Sequence, residues 1–405
     1  MKKALLFIGG GLEAVPGIVL AQKMGHYAVV SDANEKAPGC VTADYVLKAS
    51  TYDVQSSLRA AMNFHKKVRP ISGVMSVASD IPLTVATISN ELELPGIPIK
   101  SAKLASDKLA MKQQFAHDGV AIPWYSEIFG ASDLVKIIAK YSEGLVIKPI
   151  DSRGARGVLR INSRTDLEWA FSEALKYSPA KRVMVEEFID GPQVSTESLI
   201  INGEALTPGF SDRNYEFLNR YSPYIIENGG DLPSFLPENV QLAVKELVGT
   251  AARSMGIYNG IIKGDIVIRK GNPLVIELAA RLSGGYFCTH EIPLNTGVDL
   301  VGQAIKLALG EKVNPKDLKE KYSRAVSQRY LFPNPGRVVS ISGVNQVTCR
   351  PSVALCEVRV KVGDEIAPIN NHPERAGVVI ATGTTRKEAM SAANSAIEDI
   401  KIITK

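Results

Sequence analysis

Only four cysteines occur in the 405-residue chain, and Cys40, Cys288, Cys349 and Cys356 form no C-x-x-C pair. That scatter excludes a disulfide framework and a cysteine-based metal site, and it fits reduced thiols in the cytoplasm. Charge of one sign is scarce as well. The balance is +5 at pH 7 and no block of lysine or arginine stands out. Nucleic acid is therefore not expected as a partner, although a local positive site for phosphates stays open. Long hydrophobic runs are missing too. The apolar run after Met1-Lys2-Lys3 stops at Gly9. It is too short for the core of a secretion signal, and no other run approaches a membrane span. No internal repeat or low-complexity tract is visible. What is present is ordinary: 45% hydrophobic and 22% charged residues, over a length that suggests two or three domains with sizeable cores.

Apolar strands alternate with helix patterns in residues 1–100: "KALLFIG", "YAVVSD", "ISGVMSV" and the helix "PLTVATISNELEL". This is doubly wound α/β character with a parallel sheet. "LPGIPIKSAK" marks a boundary. In "SDKLAMKQQFAHDGVAIP", Ser106 or Asp107 caps a helix that Gly119 ends. A compact α+β stretch follows over residues 122–190, then a long helix, "ENVQLAVKELVGTAARSMG", and a β-hairpin, "GDIVIRKGNPLVIELAARL". A helix at 298–309, a β-rich tail and a last helix complete the chain.

The stretch "LLFIGGGLEAVPGIVLAQKMGHYAVVSDAN" has the look of a dinucleotide-binding fingerprint. A strand runs into Gly9, Gly10 and Gly11, Ala14 follows at the fingerprint spacing, and Asp32 closes a second strand. Three glycines permit a sharp turn and close approach to a ligand, and the helix start after them favours anions. The pattern gives strand, turn, helix and strand without naming a ligand.

Three other stretches carry chemistry. In "VIKPIDSRGARGVLRI", Lys148 ends a β-branched strand, and Ser152, Arg153, Gly154, Arg156 and Gly157 form a loop that returns as a strand. Backbone N–H groups, two guanidinium groups and a lysine together suit a polyphosphate, whereas the plain alternative is an exposed basic turn. In the hairpin, a three-residue loop Lys270-Gly271-Asn272 places Asp265 opposite Glu277. Like charges facing across a strand pair need a neutralising partner, which magnesium held by carboxylates and phosphates provides. Period-2 alternation then puts Glu277, Ala279 and Arg281 on one face, with Ile266, Ile268, Ile276 and Leu278 on the other. Arg281 beside such a site suits an anionic phosphate or acyl phosphate. In "VMVEEFIDGPQVSTES" an apolar strand leads into a carboxylate pair and a turn, which reads first as a plain strand end, with an interdomain hinge whose backbone reads an adenine edge as the alternative.

In this order the three stretches resemble the ATP-grasp superfamily over nearly the whole chain, and within it the biotin-carboxylase/carbamoyl-phosphate-synthetase branch with its L-amino-acid ligases. The resemblance implies α/β and α+β domains. An N-terminal Rossmann-like domain spans 1–100. The ATP-grasp domain spans 101–320, with a flexible lid at about 122–188, and a small β-rich C-terminal domain spans 321–405. It implies Lys108 and Lys148 on the phosphates of ATP, 152–157 as flap, Glu186, Glu187, Phe188 and Ile189 at the adenine, and Gln193 at the ribose. Asp265 and Glu277 are the implied ligands of two Mg2+ ions, with Mn2+ as a substitute, and Arg281 holds the acyl phosphate. Members of the superfamily usually lack a dinucleotide in the first domain, so residues 9–14 are expected to bring their glycines near substrate or phosphate.

Two departures stand out. Gln193 occupies the place of a ribose-binding glutamate, with Glu197 as a nearby substitute. Ala279 replaces an asparagine of the metal motif, where a water could complete the shell.

The leading reading is an ATP-dependent carboxylate–amine ligase working on a small carboxylic acid and an amine, cytoplasmic, with a homodimer compatible. The alternatives are a carboxylase using carboxyphosphate and a non-catalytic ATP-binding protein. "AMK" at 110–112 resembles a biotinylation tripeptide, but Met111 reads as core and Lys112 as surface. Asp80 reads either as an N-cap or as a substrate contact. His290 and Glu291 come close enough to Gly284-Gly285 to be considered for the reacting groups, and 211–234 for a pocket cover.

Overall fold

The computed structural model describes residues 2–141 and 143–405. The chain opens on a parallel sheet of four strands, in the order Tyr45–Lys48, Tyr27–Asp32, Ala4–Ile8 and Ile71–Met75. Alternation along Ala4–Ile8 explains why this strand is central. Leu5 and Phe7 enter the core shared with helix Leu300–Ala308, whereas Ala4, Leu6 and Ile8 enter a second core on the opposite face. A strand buried on both faces must be apolar throughout, as this one is.

Residues 125–187 build a separate antiparallel sheet, ordered Tyr125–Ile128, Val183–Glu187, Leu145–Pro149 and Leu159–Ile161, with its own apolar core. An eight-stranded antiparallel sheet follows. From its edge it runs Asn272–Ala279, Gly260–Arg269, Gln193–Ile201, Glu204–Arg213, Gly230–Leu232, Ala325–Tyr330, Gly377–Gly383 and Val353–Val358. The sheet thus crosses residue 320 without a break. Helix Glu238–Ser254 buries Val240, Val244 and Val248 against it.

The hairpin at the sheet's edge departs from expectation in a telling way. Its loop has two residues, not three: Arg269 pairs with Asn272, and Lys270 and Gly271 turn with φ of 49° and 84°. Positive φ at both positions matches the twist of the flanking strands. A regular ladder from that turn would set Asp265 opposite Ile276. A β-bulge between Asp265 and Ile266 shifts the register, and Asp265 pairs with Glu277 after all. The bulge also exchanges two apolar residues. Val275, not Ile276, joins Ile266, Ile268 and Leu278 in the core, and Ile276 turns toward the cavity beside Glu277.

Candidate active site

A cavity of about 610 Å³ is walled by the four-stranded sheet, the eight-stranded sheet, the N-terminal sheet's loops and the C-terminal strands. Of the residues singled out in the sequence, Lys108, Lys148, Ser152, Arg153, Gly154, Arg156, Glu186, Glu187, Phe188, Ile189, Gln193, Asp265, Glu277 and Arg281 all line it. Gly157 does not, being packed between Pro149 and Tyr177.

Lys148 is held by a buried cluster. Its ammonium pairs with Glu186, and Lys112 Nζ lies 3.5 Å from the same carboxylate oxygen. Burial alone would push Glu186 up, but the two ammonium groups outweigh it and hold the carboxyl below its usual range. Lys112, expected at the surface, is 1% exposed and donates to the Val275 carbonyl at 2.9 Å. That carbonyl belongs to the hairpin's edge strand, which needs a donor from outside the sheet. The cluster carries one more positive than negative charge, a surplus suited to an anion. Glu187 instead pairs with Arg269 and accepts from the Trp124 N–H at 2.9 Å.

The flap is tethered at both ends of the cavity. Asp107 caps helix Lys108–His117, which aims Lys108 at the loop, and its Nζ donates to the Ser152 carbonyl at 2.6 Å and lies 3.3 Å from Glu277. From the C-terminal side, the His372 N–H donates to the Gly154 carbonyl at 3.0 Å. Gly154, Ala155 and Gly157 all take positive φ.

Asp265 is crowded with cations. Its Oδ1 accepts from Lys263 Nζ, from Ser195 Oγ at 3.3 Å, and pairs with Arg213 Nη1 at 2.8 Å. Burial opposes ionisation there, but these partners hold the carboxyl far below its usual range. No hydrogen bond to Oδ2 forms among the described residues. Two carboxylates in register, one of them with a free oxygen, beside a phosphate-sized cationic wall, form a donor set that fits magnesium completed by phosphate oxygens.

Arg281 lies 3.8 Å from Asp80, and its Nε is buried without a hydrogen-bond partner among the described residues. Asp80 lines the cavity and is not an N-cap, since Ile81 takes that position at helix Pro82–Glu91. Glu197 is no ribose ligand: it is fully buried, accepts from Ser283 N–H at 2.7 Å and from Ser283 Oγ, and burial pushes it up to about 7. Glu291 reaches the cavity, and burial raises its carboxyl well above the usual range. His290 does not line it and bonds to Thr289 Oγ1 at 2.9 Å.

The opening glycines are structural. Gly10 N–H donates to Asp32, whose other oxygen accepts from Asn34, so the acidic residue of the fingerprint is spent within the loop. A side chain at Gly9 would collide with Ser79. Glu13, rather than Gly9, Gly10 or Gly11, lines the cavity, and it pairs with Arg359 at 2.8 Å. Sequence reading missed Lys263, Arg213, Arg359, His372 and Arg375, all of them on the cavity wall. Lys263 was within reach, because it stands two residues before Asp265 on the same strand face.

Residues 105–285 match the ATP-grasp domain and residues 329–405 the L-amino acid ligase C-terminal domain 2. Uncharacterized protein y4rH of Sinorhizobium fredii is 27% identical over 335 residues, covering 82% of this chain and 68% of that protein. A D-alanine–D-alanine ligase of Desulforudis audaxviator is 27% identical over 249 residues, 59% of this chain and 76% of its own. Among solved structures, the L-amino acid ligase from Bacillus licheniformis superposes with a TM-score of 0.85 at 22% identity, covering 100% and 99% of the two chains. A biotin carboxylase from Campylobacter jejuni does so at 0.73 and 18%, covering 100% and 92%. These likenesses establish the shared fold. The chain thus carries an ATP-grasp domain followed by an L-amino acid ligase C-terminal domain, and its named relatives include ATP-grasp ligases, enzymes that form carbon–nitrogen bonds. Both carboxylate–amine ligases and a carboxylase stand among these relatives and neighbours.

Proposed function

We propose that the protein joins a small carboxylic acid to an amine through an acyl phosphate. A substrate carboxylate oxygen attacks the γ-phosphorus of ATP, the bond to the β-phosphate oxygen breaks, and ADP leaves. The amine nitrogen then attacks the acyl carbon, the carbon–oxygen bond to phosphate breaks, and the amine gives up a proton as the amide forms. The observation that carries this reading is Arg281. Arg281 lines the same cavity as Lys108, Lys148 and Glu277. Its buried Nε makes no hydrogen bond among the described residues beyond the 3.8 Å approach to Asp80, so a guanidinium that can hold a transferred phosphoryl oxygen borders the proposed phosphate wall.

Lys148, oriented by Glu186, and Lys108 draw charge from the phosphates. The flap over them excludes water that would hydrolyse the intermediate. Asp80, beside Arg281, is the carboxylate best placed to orient the amine. Magnesium, when bound by Asp265 and Glu277, would neutralise phosphate charge. Its setting is the cytoplasm, in keeping with four cysteines that remain free thiols.

ADP release measured against pools of carboxylic acids and amines tests the proposal. Release that needs both an acid and an amine supports it. Release driven by bicarbonate without an amine favours a carboxylase instead, and nucleotide binding without release in any pool contradicts catalysis.

A further inference from the structure

We infer that this enzyme works with one divalent cation rather than two, and that the Lys263 ammonium takes the place of the other. The inference deepens the proposed function and rests on its assignment of Asp265 and Glu277 to the metal.

Lys263 and Asp265 stand two residues apart on the strand Gly260–Arg269, and both face the cavity. Across the hairpin, Lys263 pairs in register with Ala279. That is the position where the related metal motif carries an asparagine. The same rung therefore lacks that amide oxygen on one strand and carries a positive charge on the other. An ion there would lack a ligand and face an ammonium.

The arrangement around Asp265 points the same way. Lys263, Arg213 and Ser195 all bond to Oδ1, which leaves Oδ2 as the oxygen open to a metal. A pair of metal ions about 3.5–4 Å apart is ordinarily clamped by shared ligands. A carboxylate whose one oxygen already takes three donors cannot place one oxygen on each of two ions. A second ion would also sit beside two fixed cations. Glu277, in contrast, has Lys108 at 3.3 Å as its ion-pair partner and can exchange that contact for a metal. Asp265 Oδ2, Glu277 and phosphate oxygens thus supply one shell, completed by water. Lys263 remains as a compact point charge with three N–H donors, able to meet the phosphates where a second ion would otherwise stand. Its side chain is 16% exposed, so that charge is little screened.

The test counts ions directly. The purified full-length chain is saturated with the β,γ-imido analogue of ATP and titrated with Mn2+, and free Mn2+ is read by electron paramagnetic resonance. One Mn2+ per bound nucleotide is the expected result, and two would overturn the inference. The double substitution Lys263→Ala with Ala279→Asn should raise the ratio to two, with nucleotide still binding once per chain as the check on folding. A ratio that stays at one in that variant would remove Lys263 from the role. No acid or amine is present in this assay, so its outcome is independent of which bond the enzyme forms.

Discussion

Replacing Lys112 by methionine should change how stability depends on pH, with a sign and size that follow from its burial. Methionine keeps the length of the side chain and drops the charge. Burial lowers the Lys112 ammonium from 10.5 to about 8, against the pull of Glu186. In the unfolded chain the same group titrates near 10.5. Between these values the unfolded chain holds more proton than the folded one, so stability contributed by this group rises with pH across the window. At about 1.36 kcal/mol per pH unit, the gain from 8 to 10.5 amounts to roughly 3 kcal/mol. Below pH 8 both states are protonated and the group contributes no slope. Lys112→Met removes the titration, and groups outside the Lys112–Glu186–Lys148 cluster cancel in the comparison. Thermal unfolding of both proteins from neutral pH upward is the assay. The midpoint of the wild type should gain on that of the variant by about 3 °C as pH rises through the window, taking roughly 1 °C per kcal/mol for a chain this long. Midpoints that stay parallel would mean that Lys112 titrates as in water, and the buried triad would fall with it.

Lys148→Met should lower kcat/KM for ATP by about 100-fold or more, the loss expected from deleting one positioned charge; a variant within tenfold of wild type would take Lys148 off the phosphates. Ser283→Ala strips one of two donors from the buried Glu197 carboxylate and should cost about 1–3 kcal/mol in urea unfolding at neutral pH. Unchanged stability there would show that the Ser283 hydroxyl does not support that carboxylate. Amide hydrogen exchange across 152–157 should slow when ATP and Mg2+ bind, since three positive-φ residues and two nearby guanidinium groups order only at a cost. Equal exchange in both states would speak against a phosphate-covering flap.

The sequence made the fold legible where pattern and burial agree. The alternation of "KALLFIG" and "YAVVSD" gave a parallel sheet because both strands are apolar on two faces. Tyr45–Lys48, half exposed, and Lys401–Thr404, an edge strand, show no such run and were missed. The cationic side of the cavity was readable because Lys148 and the glycine loop are contiguous. The hairpin teaches a subtler lesson. Asp265 and Glu277 do face each other, but through a two-residue turn corrected by a bulge, and no local signal in "NPLVIEL" announces an extra residue. Lys112 could not be placed from its helix alone, because what buries it is Glu186 and the Val275 carbonyl, 74 and 163 residues away. The C-terminal groups, Arg359, His372 and Arg375, enter the cavity only because the large sheet continues past Ala325–Tyr330, and period-2 reading does not foresee that continuation.

The transfer of oxygen from acid to phosphate tests the account at its centre. A carboxylic acid that supports ADP release is prepared with 18O in its carboxylate, incubated with the amine, ATP and Mg2+, and the released phosphate is analysed by mass spectrometry. Passage through an acyl phosphate carries one labelled oxygen into each phosphate formed. Phosphate free of label, while amide accumulates, would contradict the phosphorylated intermediate and with it the role given to Arg281.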